Sequence, residues 1–172
     1  MLRVIMIPFF VAAMLIDTIP WHNYIAAAIF IIASLTDTLD GYIARKYNLI
    51  SNFGKFMDPL ADKLLVSSAL ICFVALDTIP AWVVIVIISR EFIISGFRLV
   101  ASDAGVVIAA GWWGKCKTVS QMVMSILLIV NFSGTVIDIL EQILIYLSLV
   151  LTVISLMDYL IRNWKVMDDG NM

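Results

Sequence analysis

The chain has 172 residues, 63% of them hydrophobic, with a mean hydropathy of +1.05. Soluble domains are about 45–50% apolar, so this composition excludes an ordinary water-soluble domain and reads as an all-α integral membrane protein. The net charge of −2 gives no reason to expect a nucleic-acid partner.

Six apolar segments are long enough, or nearly so, to cross a bilayer at roughly 20 residues per helix. The first covers residues 4–16. It follows Met-Leu-Arg and could pass for a signal peptide. No small-residue cleavage site closes it, and apolar segments continue down the chain, so it reads as a first membrane helix. Asp17-Thr-Ile-Pro20 makes a turn. His22, the single histidine, reads as a loop residue there, which leaves histidine-based catalysis poorly served. The second segment covers residues 24–44, and a turn at 48–52 leads to the third at 57–76. Asp77-Thr-Ile-Pro80 is the next turn, followed by the fourth segment at 81–101. Turns at 102–105 and at Ser133-Gly134 flank the fifth segment, 119–132, and the sixth covers 139–161. The first and fifth are short and need their flanks to span. Cys72 and Cys116 form no metal or disulfide pattern and read as inert buried thiols. No linker, low-complexity tract or second core interrupts the chain, so residues 1–172 read as a single transmembrane domain.

Charge gives the orientation. Six spans put both termini on one side, and with them Arg3, Arg45, Lys46, Lys55, Lys63, Arg90, Arg98, Lys115, Lys117, Arg162 and Lys165, all 11 basic residues. The opposite loops carry Asp17, Asp77, Asp138 and Glu141 and no Lys or Arg. The positive-inside rule then makes both termini cytoplasmic, as in a multi-pass protein of the cell membrane.

Four carboxylates dominate that side. Asp37-Thr-Leu-Asp-Gly-Tyr-Ile-Ala-Arg45 is followed, eight residues on, by Gly54-Lys-Phe-Met-Asp58-Pro-Leu-Ala-Asp62. Asp37, Asp40, Gly41 and Ala44 fall at i, i+3, i+4 and i+7, one face of a helix; Asp58 and Asp62 fall at i and i+4. Two helices joined by a short loop could present all four to one point. Carboxylates near a bilayer are costly without a compensating charge. Hard divalent cations such as Mg²⁺ or Mn²⁺ prefer such oxygen ligands, and a pair of them about 3.5–4 Å apart suits phosphoryl chemistry. Gly41 and Ala44 lower the helix surface for a flat group, Arg45 brings a fork suited to phosphate oxygens, and Gly54 relaxes the turn into the third helix.

The pattern D-x-x-D-G-x-x-A-R-x8-G-x-x-x-D-x-x-x-D resembles the signature of the CDP-alcohol phosphotransferases, and every position of it is present. Members of that family commonly begin several residues before the position of Arg3, with a Pro-Asn pair; this chain starts almost at Arg3. The resemblance implies a homodimeric membrane enzyme with a cavity open to the cytoplasm. It implies two divalent cations, Mg²⁺ or Mn²⁺, held by Asp37, Asp40, Asp58 and Asp62, with Asp62 also the general base. Gly41, Ala44 and Arg45 would face a CDP-linked donor, and CMP would leave.

For the acceptor, Arg90, Arg98, Lys115 and Lys117 fall on the fourth helix, the loop after it and the start of the fifth. A phosphorylated alcohol such as glycerol 3-phosphate needs several cations; serine does not. Ser89-Arg-Glu91, Arg98-Leu-Val-Ala101 and Gly114-Lys-Cys-Lys-Thr118 resemble the branch that makes phosphatidylglycerophosphate from CDP-diacylglycerol and glycerol 3-phosphate. Arg90 falls inside the fourth span, where an idle arginine is costly. Glu91 is its sequence neighbour and points elsewhere on the helix, so each is expected to find a partner on another helix. The same cations also suit anionic membrane lipids. Transfer to serine or to an inositol phosphate is the same-family alternative. A cation transporter is the alternative of another class, disfavoured because the acids gather at one end of the spans.

From the charge distribution, an affinity tag at either terminus should be shielded from a non-permeant label in right-side-out vesicles. Labelling of either tag in intact vesicles would overturn the orientation.

Overall fold

The computed structural model describes residues 2–16, 18, 20–46, 52–103, 108 and 111–163, the side chains of 2, 37–46, 52–62 and 102–103 excepted. All regular structure among the described residues is helical: α1 (Leu2–Leu15), α2 (His22–Lys46), α3 (Asn52–Ala75), α4 (Ala81–Asp103), α5 (Trp112–Val130) and α6 (Thr135–Arg162). The six apolar segments each fall on one of these. α6 has 28 residues, about 42 Å at 1.5 Å per residue, and among the described residues it alone is both long and apolar enough by itself to cross a membrane. Shorter apolar stretches occupy Arg3–Leu15, His22–Thr36 and Lys63–Ala75.

Three sequence expectations shift. His22 is the first residue of α2, not a loop residue. Gly54 lies within the first turn of α3 instead of in the turn before it. Helix α5 begins at Trp112, seven residues ahead of its apolar run at Val119, so Lys115 and Lys117 are helical. Cys72 and Cys116 are free thiols, the first buried and the second half-buried.

The chain divides into two compact units: residues 1–79 with 125–134, and residues 80–124 with 135–172. In the first, α1 packs along both α2 and α3, which touch each other more lightly. Its core is built from Phe10, Met14, Phe30, Leu65, Leu70 and Phe73, with Ala26, Ala33 and Ala69 letting helix surfaces approach closely. The Phe10 and Phe30 rings meet at 5.7 Å between centroids. Hydroxyls inside these helices are satisfied locally: Ser34 donates to the Phe30 carbonyl (2.8 Å) and Ser68 to that of Leu64 (2.7 Å).

The end of α3 shows why the 77–80 turn was legible. Thr78 N donates to Phe73 O at 2.8 Å and Asp77 N to Val74 O at 3.1 Å, the paired bonds of a Schellman cap. Asp77 takes the left-handed position (φ 55°), which a short polar side chain tolerates better than a branched apolar one. Ile79 then turns into the core, and Pro80 sits just before the start of α4. Asn131 (φ 51°) ends α5 in the same conformation.

The second unit holds α4, the first two-thirds of α5, and α6. Arg90 of α4 meets Ser155 of α6, and further on Phe97 meets Tyr159, so α4 and α6 run in the same direction. Lys117 of α5 meets Glu91, and Ser120 meets Ser148, so α5 runs against both. The buried stripe of α6 is Ile145, Ser148, Thr152, Ser155 and Tyr159, a three-four spacing that is mostly polar. Val136, Val150, Val153 and Ile161 of the same helix are exposed. Polar groups inside and large apolar groups outside invert the pattern of a water-soluble helix bundle.

Replacing Asp77 by glycine should leave thermal stability in detergent unchanged or slightly raised. Asp77→Val should lower it by about 1–2 kcal/mol, the cost of a left-handed conformation for a non-glycine residue. Equal melting temperatures for the two variants would remove the capping role.

Candidate active site

The backbone of the aspartate motif is helical: Asp37, Asp40, Gly41, Ala44 and Arg45 stand on α2, and Asp58 and Asp62 on α3, both in the first unit. The side chains of the four aspartates, and of Gly41, Ala44 and Arg45, lie outside the described residues. Among the described residues no group of three or more His, Cys, Asp or Glu could hold a metal.

The cations proposed from sequence are described in the second unit, where two of the four come together. Arg90 lies near the middle of α4 and is buried. Its Nη1 donates to Glu91 Oε1 at 2.7 Å and its Nε to Ser155 Oγ at 3.1 Å. Lys117, also buried, donates from Nζ to the same Glu91 oxygen at 2.6 Å. One carboxylate thus holds two cations, and Glu91 and Lys117 each make a further interaction besides. Charge-assisted bonds of this length are among the stronger ones, and in a dry setting they offset part of the cost of desolvating the ions.

Arg98 and Lys115 are exposed. Arg98 stands on the last third of α4, next to Phe97, whose ring meets that of Tyr159. Lys115 is in the first turn of α5. Asp158 of α6 accepts from Arg162 Nε at 2.7 Å, one turn on. Just before α5, a Cβ at Gly111 would lie 3.2 Å from Asp158 Oδ2, a tight contact, whereas one at Gly114 would meet Arg90 Nη2 at 3.5 Å, an ordinary one.

The expectation that Arg90 and Glu91 point apart holds only in part. Each does find a partner on another helix, Ser155 and Lys117 respectively, but the two also bond to each other. The arginine side chain is long and flexible enough to swing back along the helix to its neighbour. Sequence reasoning missed Ser155 and Tyr159. Their signal was present: Ser148, Thr152, Ser155 and Tyr159 recur at steps of four, three and four in an otherwise apolar helix.

The CDP-alcohol phosphatidyltransferase family profile matches residues 1–154. The CDP-diacylglycerol–glycerol-3-phosphate 3-phosphatidyltransferase of Bacillus subtilis is 44% identical, over 98% of this chain and 94% of its own length. The protein of the same name from Haemophilus influenzae is 42% identical over 92% and 86%. A probable phosphatidylglycerophosphate synthase of Mycobacterium tuberculosis is 38% identical over 94% and 78%.

Glu91→Ala should destabilise the protein by about 3 kcal/mol, because it removes a carboxylate shared by two buried cations. Arg162→Ala, which breaks an exposed pair, should cost less than about 0.5 kcal/mol. Chemical denaturation in detergent would compare them, and equal losses would deny the Glu91 cluster its role in holding the second unit together.

Proposed function

The chain belongs to the CDP-alcohol phosphatidyltransferase family, a membrane-bound enzyme group, and we propose that it transfers the phosphatidyl group of CDP-diacylglycerol to glycerol 3-phosphate. The products are phosphatidylglycerophosphate and CMP. The observation that carries this reading is 44% identity, over nearly the full length of both chains, to a relative named for that reaction. The basic residues Arg90 and Arg98 on α4 and Lys115 and Lys117 at the start of α5 support it independently. A phosphorylated alcohol calls for several such cations, and serine, with no net charge of its own, does not.

The donor set fits divalent cations. Four carboxylates are the hard oxygen ligands that Mg²⁺ or Mn²⁺ takes, and the family generally depends on divalent metal. Asp37, Asp40, Asp58 and Asp62 would hold two such ions, which neutralise charge on the phosphoryl group being transferred. The protein groups do the rest. Gly41 and Ala44 leave room for the cytidine, and Arg45 binds the diphosphate of the donor. Asp62 takes the proton from the acceptor hydroxyl, whose oxygen then bonds to the lipid-linked phosphorus while the bond to CMP breaks. Arg90, Arg98, Lys115 and Lys117 hold the acceptor phosphate, the two buried cations fixed by Glu91 and the two exposed ones drawing the anion in.

Residues 1–172 form one catalytic domain in this reading, since the family match runs through both compact units. Six spans with cytoplasmic termini are supported by the alternating directions of α4, α5 and α6. The gathering of Arg90, Arg98, Lys115, Lys117 and Arg162 on the α6 C-terminal side of the second unit also supports them, as Asp138 and Glu141 lie at the other end. Membrane lipid meets the exposed apolar faces. A homodimer is the assembly that the resemblance implies, and cross-linking in the membrane would test it.

The purified protein with CDP-diacylglycerol and Mg²⁺ or Mn²⁺ should release CMP with glycerol 3-phosphate and not with serine or inositol phosphate; release with another acceptor alone would discard this acceptor. Metal-dependent release would also set aside the transporter reading. Asp62→Asn should lower kcat at least about 100-fold while CDP-diacylglycerol still binds. Arg98→Ala or Lys115→Ala should raise KM for glycerol 3-phosphate more than for CDP-diacylglycerol. Parallel changes in the two KM values would remove these residues from the acceptor site.

A further inference from the structure

Tyr159 is a buried side chain, 8% exposed, whose hydroxyl has no hydrogen-bond partner among the described residues. Its ring is fixed by apolar contacts. Phe97 meets it edge-on, with centroids 5.7 Å apart and planes at 88°, and Ile94, Ala101, Ile108 and Leu156 pack in the same cluster. Tyr159 lies one turn beyond Ser155, the residue that accepts from Arg90, and its ring meets Phe97, the chain neighbour of Arg98. Two described carboxylates of this unit are engaged elsewhere: Glu91 Oε1 accepts from Arg90 and Lys117, and Asp158 Oδ1 from Arg162. Tyr159 can donate, the two arginines can only donate, and among the described residues no group accepts from the hydroxyl. A buried hydroxyl left in that state is destabilising, and native structures keep such groups where a ligand completes them.

We propose that the Tyr159 hydroxyl donates a hydrogen bond to the phosphate of the phosphorylated alcohol, beside Arg90 and Arg98, and so selects acceptors that carry a phosphate. This rests on the acceptor-site reading above and adds to it a neutral donor from α6. A site built to bond a ligand oxygen rejects a molecule that lacks it, because the site's own buried group is then left unpaired. Lysine and arginine alone attract any anion. A tyrosine held by Phe97 demands an acceptor atom at one place.

Tyr159→Phe removes the oxygen and keeps the ring packing. It should raise KM for glycerol 3-phosphate about tenfold, the effect of losing one hydrogen bond to a charged group, and leave KM for CDP-diacylglycerol unchanged. Without glycerol 3-phosphate, its melting temperature should equal or exceed that of the parent. The rise in melting temperature produced by glycerol 3-phosphate should shrink, since ligand stabilisation follows the ratio of concentration to Kd. An unchanged KM for glycerol 3-phosphate with a full ligand-induced rise overturns the proposal. So does a loss of stability without ligand accompanied by equal increases in both KM values, which marks a packing role only. Arg98→Ala, measured alongside, separates the two levels. If it raises KM for glycerol 3-phosphate and Tyr159→Phe does not, the tyrosine assignment falls and the acceptor site stands. If neither variant moves that constant, the acceptor-site reading falls and this proposal with it.

Discussion

The second unit is organised around the cost of placing charge in the middle of an apolar helix. Arg90 and Lys117 are buried, and Glu91 offsets part of that cost for both. The shared carboxylate ties α5 to α4, and the Arg90–Ser155 bond ties α6 to the same point. Between lipid-like helices there is no hydrophobic force to specify register, since every apolar face is as content in lipid as in protein. Polar contacts must supply it, and here they do so at three points: Glu91, Ser155 and the Ser120–Ser148 pair.

The same constraint explains the inverted patterning. Gln121, Ser125, Ser148, Thr152 and Ser155 are buried, whereas Phe9, Ile85, Val136 and Ile161 are exposed. Thr152 and Ser155 bond to carbonyls of their own helix and leave a low surface, so α6 can be approached without stranding those two donors.

What could be read from the sequence followed from this physics. Five of the six helices lie close to their apolar runs because those runs extend almost to the helix ends. The Asp77-Thr-Ile-Pro80 turn was visible because its residues have local reasons to be there: a left-handed Asp, a buried Ile and a Pro that cannot continue a helix. The start of α5 was not visible. Residues 112–118 include Gly114, Lys115 and Lys117, and an apolar count skips them. A partner far away in sequence, Glu91, helps make a buried lysine tenable there. The Arg90–Glu91 bond was missed for a related reason, since helical geometry describes where a side chain starts and not how far it reaches. The four aspartates stand out in the sequence as a motif because of their spacing, and their side chains lie outside the described residues. Ser155 and Tyr159 were overlooked because a search for charge passes over neutral donors.

Ser155 has one hydroxyl proton, and the Thr152 carbonyl takes it at 2.9 Å. Towards α4 the oxygen can then offer only lone pairs, and it meets Arg90 Nε at 3.1 Å. The α6 backbone thereby fixes the polarity of the contact. Position 90 must present an N–H or another donor, and a glutamine turned by its carbonyl, or a glutamate, would set two acceptors against each other. A serine in the middle of one helix thus dictates the chemical sense of a residue 65 positions earlier in the chain.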